Sequence, residues 1–166
     1  MSCTSTIGNT DLPECDLSEY IEREAARIQN GKSDQIEKGM RIGQAFSTRF
    51  LSADTLNFQS EWQFLLTHFN VQDPKFEGLW FKNVMIKGPK SMLIEYLSAD
   101  KSNPFRFLRI YTENNAVYRI ECEKADFSWI GNRIYALDWK LGSVLRYSMR
   151  IEGDTSQSPI KLSYVY

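Results

Sequence analysis

The chain has 166 residues, of which 42% are hydrophobic, 25% charged and 13% aromatic, and it carries 20 Lys+Arg against 21 Asp+Glu. That is the length and apolar fraction of a single globular domain with one core, and 4 Trp, 8 Tyr and 10 Phe exclude wholesale disorder. A net charge of −1 gives no global pull toward nucleic acid or an anionic membrane, and no apolar run reaches the roughly 18 residues a spanning helix needs.

Charge is uneven along the chain: residues 1–71 hold six Lys/Arg against ten Asp/Glu, and residues 72–166 hold fourteen against eleven. Three cysteines, Cys3, Cys15 and Cys122, are an odd and widely spaced set, which reads as reduced thiols. The opening MSCTSTIGNTDLPECD has neither a basic start nor an apolar segment after it. The expectation is therefore a cytoplasmic protein.

In chain order, residues 1–15 are rich in Ser, Thr, Gly and Pro and are expected to form a flexible tail, with residues 16–166 as a single domain. Asp16 or Ser18 caps a first helix whose apolar positions are Leu17, Ile21, Ala25 and Ile28, and Asn30-Gly31 ends it. Ile36, Met40, Ala45 or Phe46, and Phe50 suggest a second helix, weakened by about 1 kcal/mol at each of Gly39 and Gly43. The spacing of these two glycines suggests a close neighbour. A third helix is expected from Thr55 to His68, with Phe58, Trp62, Leu65, Leu66 and Phe69 inward, so residues 16–70 form the helical part.

Beyond Pro74 the period becomes two, and residues 76–166 read as a sheet. Seven strands are expected: Leu79–Lys87, Ser91–Ser98, Phe105–Glu113, Ala116–Glu123, Arg133–Lys140, Val144–Glu152 and Ile160–Tyr166. Asn114-Asn115 and Gly142-Ser143 are spacers suited to tight hairpins, and no gap is long enough for a parallel crossover. The fold class is thus α+β, with N-terminal helices followed by a strongly curved, seven-stranded antiparallel sheet, either a half-barrel or a calyx-like barrel. The order is similar in shape to cone-shaped domains whose helices fill a half-barrel, and the strand count to small calyx barrels. Neither likeness carries a function.

The chemical inventory is short. The one histidine, His68, falls at a helix end, where it can satisfy the last carbonyls. No second histidine or cysteine cluster offers a metal site, and no cofactor motif, phosphate loop or nucleophile elbow occurs. Neither metal nor cofactor is expected. Alternation instead places charge among apolar side chains on two consecutive strands: Glu95 beside Leu93 and Leu97, Arg106 beside Leu108 and Ile110, and Arg109 beside Phe105, Phe107 and Tyr111. Such charges are costly unless paired, so Glu95 is expected to meet Arg106 or Arg109, as a structural pair or as a clamp for a carboxylate or phosphate. Tyr96, Tyr111 and Tyr118 join them as candidate ligand-binding residues. Trp62 and Trp139 are expected in the core.

The leading functional reading is a non-enzymatic binding or assembly module. Its sheet would hold a small apolar or anionic ligand, or a protein partner, a homodimer being one option. The alternative is a cone-shaped α+β enzyme with lyase- or isomerase-like acid–base chemistry on a small apolar substrate. A second alternative is a sheet for single-stranded nucleic acid. It is suggested by nine Lys/Arg against five Asp/Glu in residues 101–150 and disfavoured by the missing glycines around FRFLRIY.

Overall fold

The computed structural model describes residues 4–10, by their backbone, together with 12–31, 35–129, 131–153 and 159–166. Cys3 lies outside these residues. The chain runs through β1 (Thr4–Thr10), α1 (Leu17–Gln29), β2 (Gln35–Ile42), β3 (Ala45–Ser52), α2 (Phe58–Glu61) and α3 (Gln63–His68). A single 3-10 turn, Pro74–Phe76, leads into β4 (Trp80–Gly88), β5 (Ser91–Ser98), β6 (Phe105–Glu113) and β7 (Ala116–Asp126). The chain continues with β8 (Arg133–Lys140), β9 (Val144–Ile151) and β10 (Ile160–Val165). Among the described residues no helix is long and apolar enough to cross a membrane.

Helix α1 starts where Asp16 accepts hydrogen bonds from the Ser18 backbone N–H at 2.9 Å and the Ser18 hydroxyl at 2.6 Å. It buries Leu17, Ile21, Glu24 and Ile28 along one stripe. Asn30 ends it by returning its side-chain N–H to the Ala26 carbonyl at 2.8 Å. The expected third helix is two short ones. Asn57 caps α2 by accepting from the Ser60 N–H, and the backbone breaks at Trp62. The break seats the Trp62 ring between Phe58, Trp139 and Tyr164, at centroid distances of 5.0, 5.7 and 6.0 Å.

All pairings are antiparallel, and the described strands form one ten-stranded sheet in the order β1-β4-β5-β6-β7-β8-β9-β10-β2-β3. The seven expected strands are β4 to β10, paired as a meander. The sheet does not close into the barrel that was one expectation: β1 and β3 are its two edges. The three added strands come from segments read otherwise. Residues Thr4–Thr10, expected to be loose, pair with β4 from Trp80 to Met85. The reading failed because a polar edge strand lacks an apolar alternation.

The expected second helix is the β2–β3 hairpin. Ile36 and Met40 are four residues apart, a spacing that satisfies a strand's period of two as well as a helix's 3.6. Gly43, at φ +59°, occupies the two-residue turn that closes the Ile42–Ala45 pair. The close neighbour of Gly39 is real: a Cβ there would meet Ser163 Oγ at 2.6 Å and the Phe46 ring at 3.4 Å.

One sheet face carries the helices and the core. Trp80, Tyr96, Leu108, Ile120, Leu137, Trp139, Leu145 and Tyr164 are buried there with Ile21, Trp62, Leu65 and Phe69. Trp62 and Trp139 are both fully buried, as expected. At the far end Phe76 packs edge-on against Phe105 at 5.3 Å, closing the helix–sheet joint.

Candidate functional site

Because side chains alternate across a strand, the register lines up one residue per strand on the face away from the helices. A single row there runs Asn83, Glu95, Arg109, Glu121, Asp138, Arg146, Ser163, Gly39, Thr48 across nine strands. Its middle is a chain of ion pairs. Arg109 donates to Glu95 at 2.7 Å, Arg119 bridges Glu121 at 2.6 Å and Asp138 at 2.8 Å, and Arg146 approaches Asp138 at 3.5 Å. Tyr111 donates its hydroxyl to Glu121 at 2.6 Å.

The ion pairs favour the charged form of the arginines that make them. The carboxylate of Glu95 strengthens protonation of Arg109, and that of Asp138 does the same for Arg119. Burial, reinforced by the bond to Glu121, pushes the Tyr111 hydroxyl up to about 12.

The expected cluster is therefore met in part. Glu95 and Arg109 do pair across β5 and β6. Arg106 does not join them. The β6–β7 register shifts between Phe105 and Phe107, and Arg106 pairs with Glu123 at 2.9 Å and Glu152 at 2.7 Å. The same shift turns Phe105, expected beside Arg109, into the core against Trp80. Tyr96 is on the opposite face, buried, with its hydroxyl accepting from the Glu14 N–H at 3.4 Å. Tyr118 is exposed beside Arg119 and lines a cavity described below. His68 is also on the helix side, stacked on Tyr135 at 4.3 Å.

Beyond Asp138 the helix-free face changes character. A depression of about 400 Å³ opens over β8, β9, β10, β2 and β3. Gly39, Ala136, Ser148 and Ser163 contribute small side chains or none, so the face is recessed there, and Phe46 forms an apolar wall. The cationic lining residues are Arg41, Arg146 and Lys161, and Asp138 is the acidic one. Asp138 already has Arg119 and Arg146, whereas Arg41 and Lys161 have no acidic partner among the described residues. A second cavity of about 370 Å³ shares Asp138 and Arg146 with the first and adds Arg119 and Lys140. Each is of ordinary ligand-site size, and the first combines cationic side chains with one apolar wall.

Sequence reasoning missed Arg41 and Phe46 because it placed them on a helix, and Lys161 because nothing local marks it. The Gly43-Gln44 spacer between two β-prone runs was the available signal. No protein-family model matches the chain, and no curated protein or solved structure matches it either.

Proposed function

We propose that the chain is a non-enzymatic binding module whose helix-free sheet face takes a small amphipathic anion. The anionic group sits between Arg41 and Lys161, and the apolar body lies over Gly39 and Ala136 against Phe46. The observation that carries this reading is the cation pair. Arg41 and Lys161 are directly opposite one another at the rim of the depression, without an acidic partner among the described residues. A carboxylate, sulfonate or phosphate would neutralise both cations, with charge-assisted hydrogen bonds from the guanidinium and the ammonium. Support also comes from Gly39, whose missing side chain keeps the depression open beside Ser163 and Phe46.

The reading is tested with two probes of equal chain length, decanoate and decanol, followed by their effect on the melting temperature. Decanoate should stabilise the protein in a saturable way that weakens with added salt, and decanol should not. Equal shifts from both probes, or none from decanoate, would contradict it.

A further inference from the structure

The strand β3 ends the sheet with its outer side unpaired among the described residues, and its sequence AFSTRFLS has few of the devices that normally protect an edge, Arg49 on the helix-bearing face being its one charge. It has no Pro and no Lys, and it pairs with β2 at all eight positions without a register shift. Seven of its eight residues are exposed, Phe46 at 64% and Phe50 at 66%. The opposite edge, β1, is interrupted between Ile7 and Asn9.

The hairpin fixes which groups are free. Ile42 and Ala45 close a two-residue turn and so exchange both hydrogen bonds. Alternation then directs the backbone N–H and C=O of Ser47, Arg49 and Leu51 toward β2. Those of Phe46, Thr48 and Phe50 point outward.

We infer that β3 pairs antiparallel with β3 of a second copy of this chain, about a two-fold axis through Thr48, continuing the sheet across the dimer. A two-fold perpendicular to the sheet keeps the pleat only if paired residues share a face, which restricts the register to even steps. Centring on Thr48 sets Phe46 opposite the partner's Phe50 at both ends and Thr48 opposite the partner's Thr48. Aromatic and threonine pairs of this kind are favourable across strands. The same register sets Arg49 opposite Ser47. Centring one residue later would oppose Arg49 to itself, a like-charge contact. The partner's Phe50 would also stand beside Phe46, extending the apolar wall of the depression. The inference does not depend on what that depression binds.

The test uses the full chain in light scattering after size exclusion, with circular dichroism melting as the fold control. The wild type should have twice the 19.3 kDa of one chain. Thr48→Lys and Thr48→Glu should each weaken dimerisation about tenfold by self-repulsion, and an equimolar mixture should restore the dimer. Thr48→Cys, which changes the strand least, should cross-link to itself on mild oxidation because hydrogen-bonded partners lie about 5.5 Å apart. Ser52→Cys, far from the axis, should not. Any one of three results overturns the inference: a wild type monomeric at every concentration, a dimer that both charge variants leave intact, or cross-linking as fast at Ser52→Cys as at Thr48→Cys. An open-ended series of higher masses would overturn it in favour of β3 pairing with β1 of the next copy.

Discussion

Lys161 of β10 and Arg41 of β2 occupy directly opposed positions in an antiparallel register, two cations on one face of the sheet. Like charges so placed oppose the pairing that holds them. Their neighbours in the same row are Phe46 and Ser148, so no carboxylate lies next to them across the strands. That repulsion stands at the rim of the depression, where Arg41 and Lys161 are both lining residues.

Removing one of these charges should therefore stabilise the free protein. Lys161→Gln and Arg41→Gln are each expected to raise unfolding free energy by about 0.5 kcal/mol, the scale of a cross-strand pair. Urea denaturation at low ionic strength measures this. Destabilisation by either change would mean that the cation has a partner in the folded chain.

Glu24 is the buried carboxylate that ties α1 to the β8–β9 turn. It accepts from the Gly142 N–H at 2.6 Å and from Arg27 at 3.3 Å, and Gly142 is at φ +81°. Glu24→Ala would leave a turn N–H without its acceptor and is expected to cost about 2–3 kcal/mol in urea denaturation. Glu24→Gln, which retains an acceptor oxygen, should recover part of that loss. Equal stability of all three proteins would show that the contact does not anchor the helix.

Trp139 is fully buried and donates its indole N–H to the Tyr166 hydroxyl at 2.7 Å, while its ring meets Trp62. Trp139→Ala is expected to cost about 3–5 kcal/mol, enough to remove most of a typical domain's margin. Tyr166→Phe, which keeps the ring but leaves the indole N–H without its acceptor, should cost less, about 1–3 kcal/mol. A Trp139→Ala protein with the wild-type melting midpoint would contradict the placement of the core.

The meander from β4 to β10 was legible because its runs are short and rich in β-branched and aromatic residues, several of them alternating, and each turn is marked by Gly, Pro or Asn. Alternation also offered Arg106 or Arg109 as the partner of Glu95, and the pair that forms is with Arg109. It failed at Arg106, since a register shift within one strand is invisible to strict counting. It failed again at residues 35–52, where four-residue spacing fits two periods and only the long-range pairing of β2 with β10 decides between them. Arg41 and Lys161 lie 120 positions apart, and only that pairing unites them. The site was illegible because it is a product of topology.

His68 gives the protein a pH response of definite sign. Burial between Tyr135 and Tyr147, with Lys124 nearby, lowers its pKa from 6.5, and Asp126 offsets this in part. The folded state thus binds fewer protons than the unfolded chain as pH falls through 6.5, and stability declines over that window. Asp16, Asp73, Asp100 and Glu152 have pKa values lowered from 3.8 or 4.5, so their losses come at more acidic pH. His68→Phe keeps a ring against Tyr135 and should flatten the melting temperature just below pH 6.5. An unchanged slope would assign the response to another group.

The binding proposal meets its sharpest test in a fluorescence titration with anilinonaphthalene sulfonate, an anion with an apolar aromatic body. It compares the wild type with an Arg41→Gln, Lys161→Gln double variant confirmed by its melting curve to be folded. Saturable one-site binding to the wild type, weakened about tenfold or more in the double variant and suppressed by salt, is the expected result. Equal affinity in the two proteins, or no saturable binding to the wild type, would refute an anion site between Arg41 and Lys161.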